Sequence, residues 1–294
     1  AKRTRAFGMK VIYFNRNKLS NELEDGAKYY PDLKSMLSFN PKVLEFHFSD
    51  SDLNLEIDGK FDQQLIVHCF EYFERKLLDI VSSETTNQIH SKEKSIELIQ
   101  MAIDKTVLLN KQFKGKPTVI VHPGGYSLNE STKLESNIMK NTIFNSIEKL
   151  DVKNVNFLLE NMPPYAWFFG GRWNCNAFLS ADDMVEYCQA TNKNVCFDLC
   201  HSHLYCNKNN LSVVNELLKI EKYVEHFHLS DAGGVDGEGL QFGEGDLPFE
   251  KIIPILNKFQ QKSFAVEVWK GHEQTGKGFK EFLDKVKQSG LIIS

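Results

Sequence analysis

The sequence has no CxxC pair among its six cysteines, no low-complexity tract, no apolar run long enough to cross a bilayer and no excess of basic charge. Each absence narrows the field. Without a dense cysteine framework the chain is no disulfide scaffold, and reduced thiols of a cytoplasmic protein are the expectation. Without a spanning run or a visible signal peptide, no membrane association is expected. With 35 basic against 39 acidic side chains the formal charge is −4, whereas nucleic-acid binders usually carry a basic surplus to neutralise phosphate. Nucleic acid is therefore a disfavoured partner, although a local basic patch can hide inside a neutral total. The chain opens on Ala1 followed by Lys2-Arg3-Thr4-Arg5, as a processed, tagged or excised polypeptide would.

What is present is a regular succession of short β-branched and aromatic runs. They are MKVIYFN from Met9, KVLEFHF from Lys42, LIVHC from Leu65, TVIVHPG from Thr118, NFLLEN from Asn156, VCFDLCH from Val195, HFHLSDA from His226 and FAVEVW from Phe264. Near-continuous apolar runs mark parallel strands covered on both faces, rather than half-exposed strands. Helical patterns lie between them: Ser91 to about Lys111, the stretch after Asn129-Glu130-Ser131, and one opened by Ser180-Ala181-Asp182-Asp183. Leu211 to Lys222, Pro248 to Phe259 and Gly278 to Gln288 complete the series, while SDSDLNLEIDGKFDQQ from Ser49 reads as a loop. Eight strands alternating with helices predict an α/β fold, a (β/α)8 TIM barrel forming one domain over residues 1–294.

Barrel chemistry sits where the strands end, and the ionisable residues fall there. His68 and His122 end the third and fourth runs, Glu160 the fifth, Asp198 lies in the sixth with His201 and His203 after it, His228 ends the seventh, and Glu267 lies in the eighth. A lone histidine at a strand end is usually hydrogen-bonded structure. Coincidence on six consecutive strands is not required by packing, and imidazoles mixed with carboxylates suit a divalent metal. His47 and His226 read as structural, deeper in the barrel or facing the helices. A zinc knuckle from Cys200, His201, His203 and Cys206 is disfavoured by its spacing.

The pattern resembles the xylose-isomerase-like barrel superfamily (AP endonuclease family 2), which includes endonuclease IV and many sugar isomerases and epimerases. The residues that carry it are His122-Pro123-Gly124, Glu160-Asn161, Asp198-Leu199-Cys200-His201, His228-Leu229-Ser230-Asp231, Asp236-Gly237-Glu238, Gly243-Glu244-Gly245-Asp246 and Glu267. In the sugar branch the resemblance implies one divalent metal (Mn, Mg or Zn) on Glu160, Asp198, His228 and Glu267, with Glu160 and Glu267 also exchanging protons and His201 orienting a hydroxyl. In the endonuclease branch it implies further metals on His68, His122, His201, Asp236 and Glu238. Glu238 stands where that branch has histidine.

The loops lean toward sugar. NMPPYAWFFGGRWNCN after Glu160 holds Trp167 and Trp173, and Trp269 follows the last run. Aromatic faces suit the CH-rich face of a sugar, and equally stack a nucleic-acid base. SDSD from Ser49 and DAGGVDGEGLQFGEGD from Asp231 would repel a phosphate backbone. Arg16, Lys18, Arg172 and Lys270 are the candidate anion anchors, with Trp167, Arg172, Trp173, Trp269 and Lys270 as candidate substrate contacts. VDGEGLQFGEGD and VEVWKGHEQTGKGF resemble isomerase-like proteins of surface-polysaccharide and nonulosonic-acid pathways. Gly234 replaces the arginine usual in the epimerases, however, and Ala166 replaces a sugar-binding glutamate. The expectation is a metal-dependent isomerase or epimerase of a sugar or sugar phosphate, a homodimer as such barrels often are. The alternatives are a zinc-dependent abasic-site phosphodiesterase and a non-catalytic sugar-binding module of a larger protein.

Overall fold

The computed structural model describes residues 12–14, 28–30, 41–81, 86–128, 136–259, 261–271 and 273–292. Seven strands, Val43–His47, Gln64–His68, Thr118–Val121, Asn156–Glu160, Val195–Asp198, Val224–Leu229 and Ser263–Val266, form one sheet in chain order. Every neighbouring pair is parallel. The sheet curls until its two edges nearly meet, with His47 Nε2 of the first strand 2.9 Å from Glu267 Oε1 just past the last. The predicted barrel is thus present with seven strands in the wall. The eighth expected strand, from Met9, is present as Ile12–Phe14 but pairs with Lys28–Tyr30 in a separate parallel pair.

Alternation along each strand decides what the barrel contains. Val43, Ile66, Ile120, Leu158 and Cys196 meet inside as an apolar layer. Two residues further on, the same inward face carries Glu45, His68, His122, Glu160 and Asp198, so a polar layer caps an apolar plug. The opposite faces (Leu65, Val67, Val119, Phe157, Val195 and Phe227 among them) pack in the large outer core with the helices.

Those helices follow their capping signals. Lys92–Leu109, Ala181–Thr191 and Val213–Ile220 are capped by the Ser91, Ser180 and Ser212 side chains, each accepting an N–H three residues on. Ser136–Ile147 matches the helix expected after Asn129, whose first residues lie outside the described set. Phe249–Leu256 follows the expected Pro248, and the last helix, Glu273–Gln288, begins five residues before the expected start. Between Ser49 and Gln64 only a 3-10 turn, Asp50–Asn54, is found, as the loop reading anticipated.

Two loops are more ordered than their composition suggests. Tyr165–Phe168 and Gly171–Cys175 form an antiparallel hairpin closed by Phe169 and Gly170, both at positive φ (55° and 82°), the backbone of a type I′ turn. Asp231–Gly233 and Gly237–Leu240 form a second hairpin. Beyond it the Asp231 carboxylate accepts the N–H groups of Gly243 (2.8 Å), Gly245 (3.0 Å) and Leu247 (3.2 Å). Asp231 is 1% exposed, so the acid-rich GEGD segment is a loop folded around one buried carboxylate. The carboxylate also accepts the Ala232 N–H at 2.8 Å, so Asp231→Ala orphans four donors at roughly 1–3 kcal/mol each. The expected result is a loss of about 3 kcal/mol or more in a urea titration and faster proteolysis within 241–247.

Candidate metal centre

Four side chains from four consecutive strand ends converge. Glu160 and Asp198 are the last residues of their strands, His228 is paired in register with Asp198, and the Glu267 N–H bonds the Leu229 carbonyl at 3.0 Å. One ligand atom from each of Glu160, Asp198, His228 and Glu267 lies within 4.8 Å of all the others. His228 Nδ1 is the hub, 3.1 Å from Glu160 Oε1, 3.2 Å from Glu267 Oε2 and 4.0 Å from Asp198 Oδ2. The family resemblance implies a metal on these four residues, and the fold brings their ligand-type atoms within 4.8 Å of one another.

Burial and charge set their protonation. Burial works to neutralise Glu160, yet His228 and His122 hold it well below the usual carboxylate range. Glu267 is likewise held down against burial, by His228 and His47. Asp198 goes the other way. Burial, opposed by His201 and reinforced by Glu160 and Glu267, pushes it up to about 7. His122, pulled down by burial but overridden by Glu160 and Glu71, reaches about 10. Three carboxylates in so small a volume are an incomplete charge balance that a divalent cation would complete. Both ring nitrogens of His122, His228 Nε2 and Glu267 Oε1 are buried without a hydrogen bond, although charged partners lie nearby. The donor set itself, three carboxylates and one imidazole with an atom of each within 4.8 Å of the others, fits a divalent metal.

His68, His122 and Glu160 make a second grouping, with His68 Nε2 3.1 Å from Glu160 Oε2 and His122 Nε2 3.4 Å from Glu160 Oε1. His201 lies close by: its Nδ1 bonds the Asn161 carbonyl at 2.8 Å and its Nε2 is 3.3 Å from Glu238 Oε1. Asp236 does not join them. It sits part-exposed in the second hairpin, 3.4 Å from Arg172 Nη1, and belongs to no ligand cluster among the described residues.

The candidate substrate contacts divide. Trp167 and Trp269 are exposed, at 55% and 63%, and the Trp269 indole lies against Gly239 of the second hairpin. Lys270 is also exposed. The Arg172 guanidinium stacks over the Tyr165 ring at 4.3 Å, where the Lys208 ammonium also sits at 4.2 Å. Trp173, expected at the substrate, is a correction. It is 1% exposed, packed with Tyr126, Met162 and Cys175, and its indole N–H donates to the Phe168 carbonyl at 3.3 Å. Hairpin alternation turns it under the sheet while Trp167 faces out. Arg16 and Lys18 lie outside the described residues.

Sequence reasoning missed Glu45 and undervalued Asn161. Glu45 is buried inside the barrel, 3.0 Å from His226 Nε2 and 3.1 Å from His228 Nε2. Its only signal is an acid in the middle of an apolar run. Asn161 accepts the Asp198 N–H at 2.8 Å and donates to the Asp198 carbonyl at 3.0 Å, fixing one ligand from the neighbouring strand end. His203, expected beside the site, bonds Asp246 at 2.7 Å, and Cys200 and Cys206 are buried, so no zinc knuckle forms.

Known proteins place this architecture. An uncharacterised protein of Methanocaldococcus jannaschii is 22% identical over 263 residues, covering 86% of this chain and 79% of that protein. Among solved structures, an L-ribulose 3-epimerase superposes with a TM-score of 0.58 at 12% identity, covering 96% of this chain and 94% of the other. A D-tagatose 3-epimerase-like protein gives 0.54 at 20% identity (78% and 80% covered). Endonuclease IV from Thermus thermophilus gives 0.50 at 18% identity, with 76% of each chain covered. At such identities these likenesses speak for the fold alone. The family model described as xylose isomerase-like TIM barrel matches residues 46–286, and the chain belongs to that family.

Proposed function

We propose that the protein is a divalent-metal-dependent isomerase or epimerase of a sugar or sugar phosphate. The observation that carries this reading is the meeting of Glu160, Asp198, His228 and Glu267 within 4.8 Å, with two ionised glutamates in the set. Glu160, Asp198, His228 and Glu267 would hold the metal, which when bound polarises a substrate carbonyl. The rest is done by the chain itself. Glu160 and Glu267, both held as carboxylates, take a proton from the carbon beside that carbonyl and return one. His201, fixed through Nδ1 by the Asn161 carbonyl, presents Nε2 to a hydroxyl. Arg172, on the hairpin strand Gly171–Cys175, and Lys208, in the last turn of the helix Leu199–Asn209, offer two cations to a substrate phosphate.

The His68, His122 and Glu160 grouping supports a second reading, phosphodiester hydrolysis at abasic sites. Against it, Asp236 is engaged with Arg172 away from His201, and the loops around the mouth are acidic.

The direct test is solvent exchange. A panel of ketoses and ketose phosphates, incubated with metal-loaded protein in deuterium oxide, should gain deuterium next to the carbonyl in at least one member. Incision of an abasic duplex with no exchange in any ketose would overturn the proposal. Glu267→Gln and Glu160→Gln should each lower turnover by about 100-fold or more while the fold persists by circular dichroism. Metal binding should release protons, because Asp198, at about 7, and His228, held well above the usual imidazole range by its neighbouring acids against burial, are protonated in part or wholly near neutrality without a cation. Affinity then rises between pH 6 and pH 8, by about tenfold per pH unit for each proton released. Calorimetry in two buffers of different ionisation enthalpy measures that number.

A further inference from the structure

Around the other oxygen of Glu267, Oε1, lies a second group of ligand-type atoms. Glu45, His47 and Glu267 each offer one atom, all within 4.8 Å of one another. His47 Nε2 is 2.9 Å from Glu267 Oε1 and 3.2 Å from Glu45 Oε1. Around a cation with ligands at about 2.0–2.2 Å, tetrahedral neighbours stand about 3.3–3.6 Å apart. The two edges from His47 are already within a few tenths of an ångström of that span.

The group is supported from behind. Glu45 Oε2 is held by His226 Nε2 at 3.0 Å, and His226 Nδ1 meets Ser263 Oγ at 2.7 Å, leaving Glu45 Oε1 between His228 Nε2 at 3.1 Å and His47 Nε2 at 3.2 Å. The His47 ring lies flat on His68, 4.5 Å between centroids and 5° between planes, which sets the direction of its lone pair. Glu45 is 6% exposed in its side chain, yet its Oε1 has no hydrogen bond, and neither has Glu267 Oε1. The His47 ring nitrogen is thus close to both oxygens while aligned as a donor to neither. Glu267 divides its oxygens, Oε2 toward His228 and Oε1 toward His47.

We propose that Glu45, His47 and Glu267 form a second divalent-cation site, sharing the Glu267 carboxylate with the Glu160, Asp198, His228 and Glu267 set. It takes a metal of zinc, cobalt or manganese type, which accepts mixed imidazole and carboxylate ligands. The His47 side chain is 57% exposed, so the open coordination positions face solvent and the ion exchanges there. This site is distinct from the His68, His122 and Glu160 grouping, with which it shares no residue.

The test counts metal. Full-length protein is stripped with chelator, equilibrated with zinc, desalted and analysed for zinc per chain, as wild type and as His47→Ala, Glu45→Gln, His122→Ala and Asp198→Asn, each checked for native circular dichroism. His47→Ala should bind one equivalent fewer than wild type, and Glu45→Gln should bind that equivalent at least tenfold more weakly in a competitive chelator titration. His122→Ala should keep it. An unchanged count in His47→Ala, or loss of the same equivalent only in His122→Ala, would overturn the site and leave an imidazole paired with two carboxylates. Should the wild type hold a single equivalent that Asp198→Asn removes and His47→Ala does not, this site alone fails. A wild type that binds none defeats the main ligand set as well.

Discussion

Carboxylates crowded into the carboxyl end of a barrel repel one another in a medium that screens poorly, and the surroundings of this chain are arranged around that repulsion. Glu45, Glu160, Asp198 and Glu267 all point inward above an apolar plug of Val43, Ile66, Ile120, Leu158 and Cys196, where water cannot reach from below. Histidines stand between the acids rather than beside them. His228 alone approaches Glu45, Glu160 and Glu267, and His122 approaches Glu71 and Glu160. Against burial, the imidazolium charges hold Glu45, Glu160 and Glu267 well below the usual carboxylate range, while Asp198 is left at about 7. Such an interior is stable enough to fold and still short of positive charge, which is what a cation site requires.

The barrel is readable because its signal is redundant. Seven apolar runs, each four to six residues in the structure, recur with capped helices between most of them, and an error at one does not spoil the rest. The run from Met9 carries the same pattern but pairs with Lys28–Tyr30, a partner whose sequence gives no comparable apolar run. The run VCFDLCH from Val195 reads as one strand, but the strand ends at Asp198 and a helix, Leu199–Asn209, follows at once. Its cysteines and histidines hide the helical period, because Cys200, His201, Ser202, His203 and Cys206 share the buried positions with only two aliphatic residues, Leu199 and Leu204.

The ligand positions are legible for a simple reason: an acid or imidazole two residues beyond an inward apolar residue must also point inward. The same rule, applied to Val43, finds Glu45 and then His47. What it does not give is which polar loop residues turn toward the mouth. Trp173 and Trp167 stand six residues apart on paired strands of one hairpin, and only the register separates the buried one from the exposed one. Asp231, likewise, is an acid whose partners are backbone N–H groups twelve to sixteen residues away, invisible to composition.

Asp198 has two employments that cannot be separated. Its Oδ1 receives the His201 N–H at 2.6 Å, capping the Leu199–Asn209 helix, while Oδ2 faces His228. With one oxygen committed to the helix start, the side chain has only the other to offer inward and cannot rock to grip an ion with both. The helix also carries Lys208 near its end, over Tyr165. A ligand that pulls on the far end of this rod therefore tugs, through eleven residues of hydrogen-bonded backbone, on the carboxylate at its base.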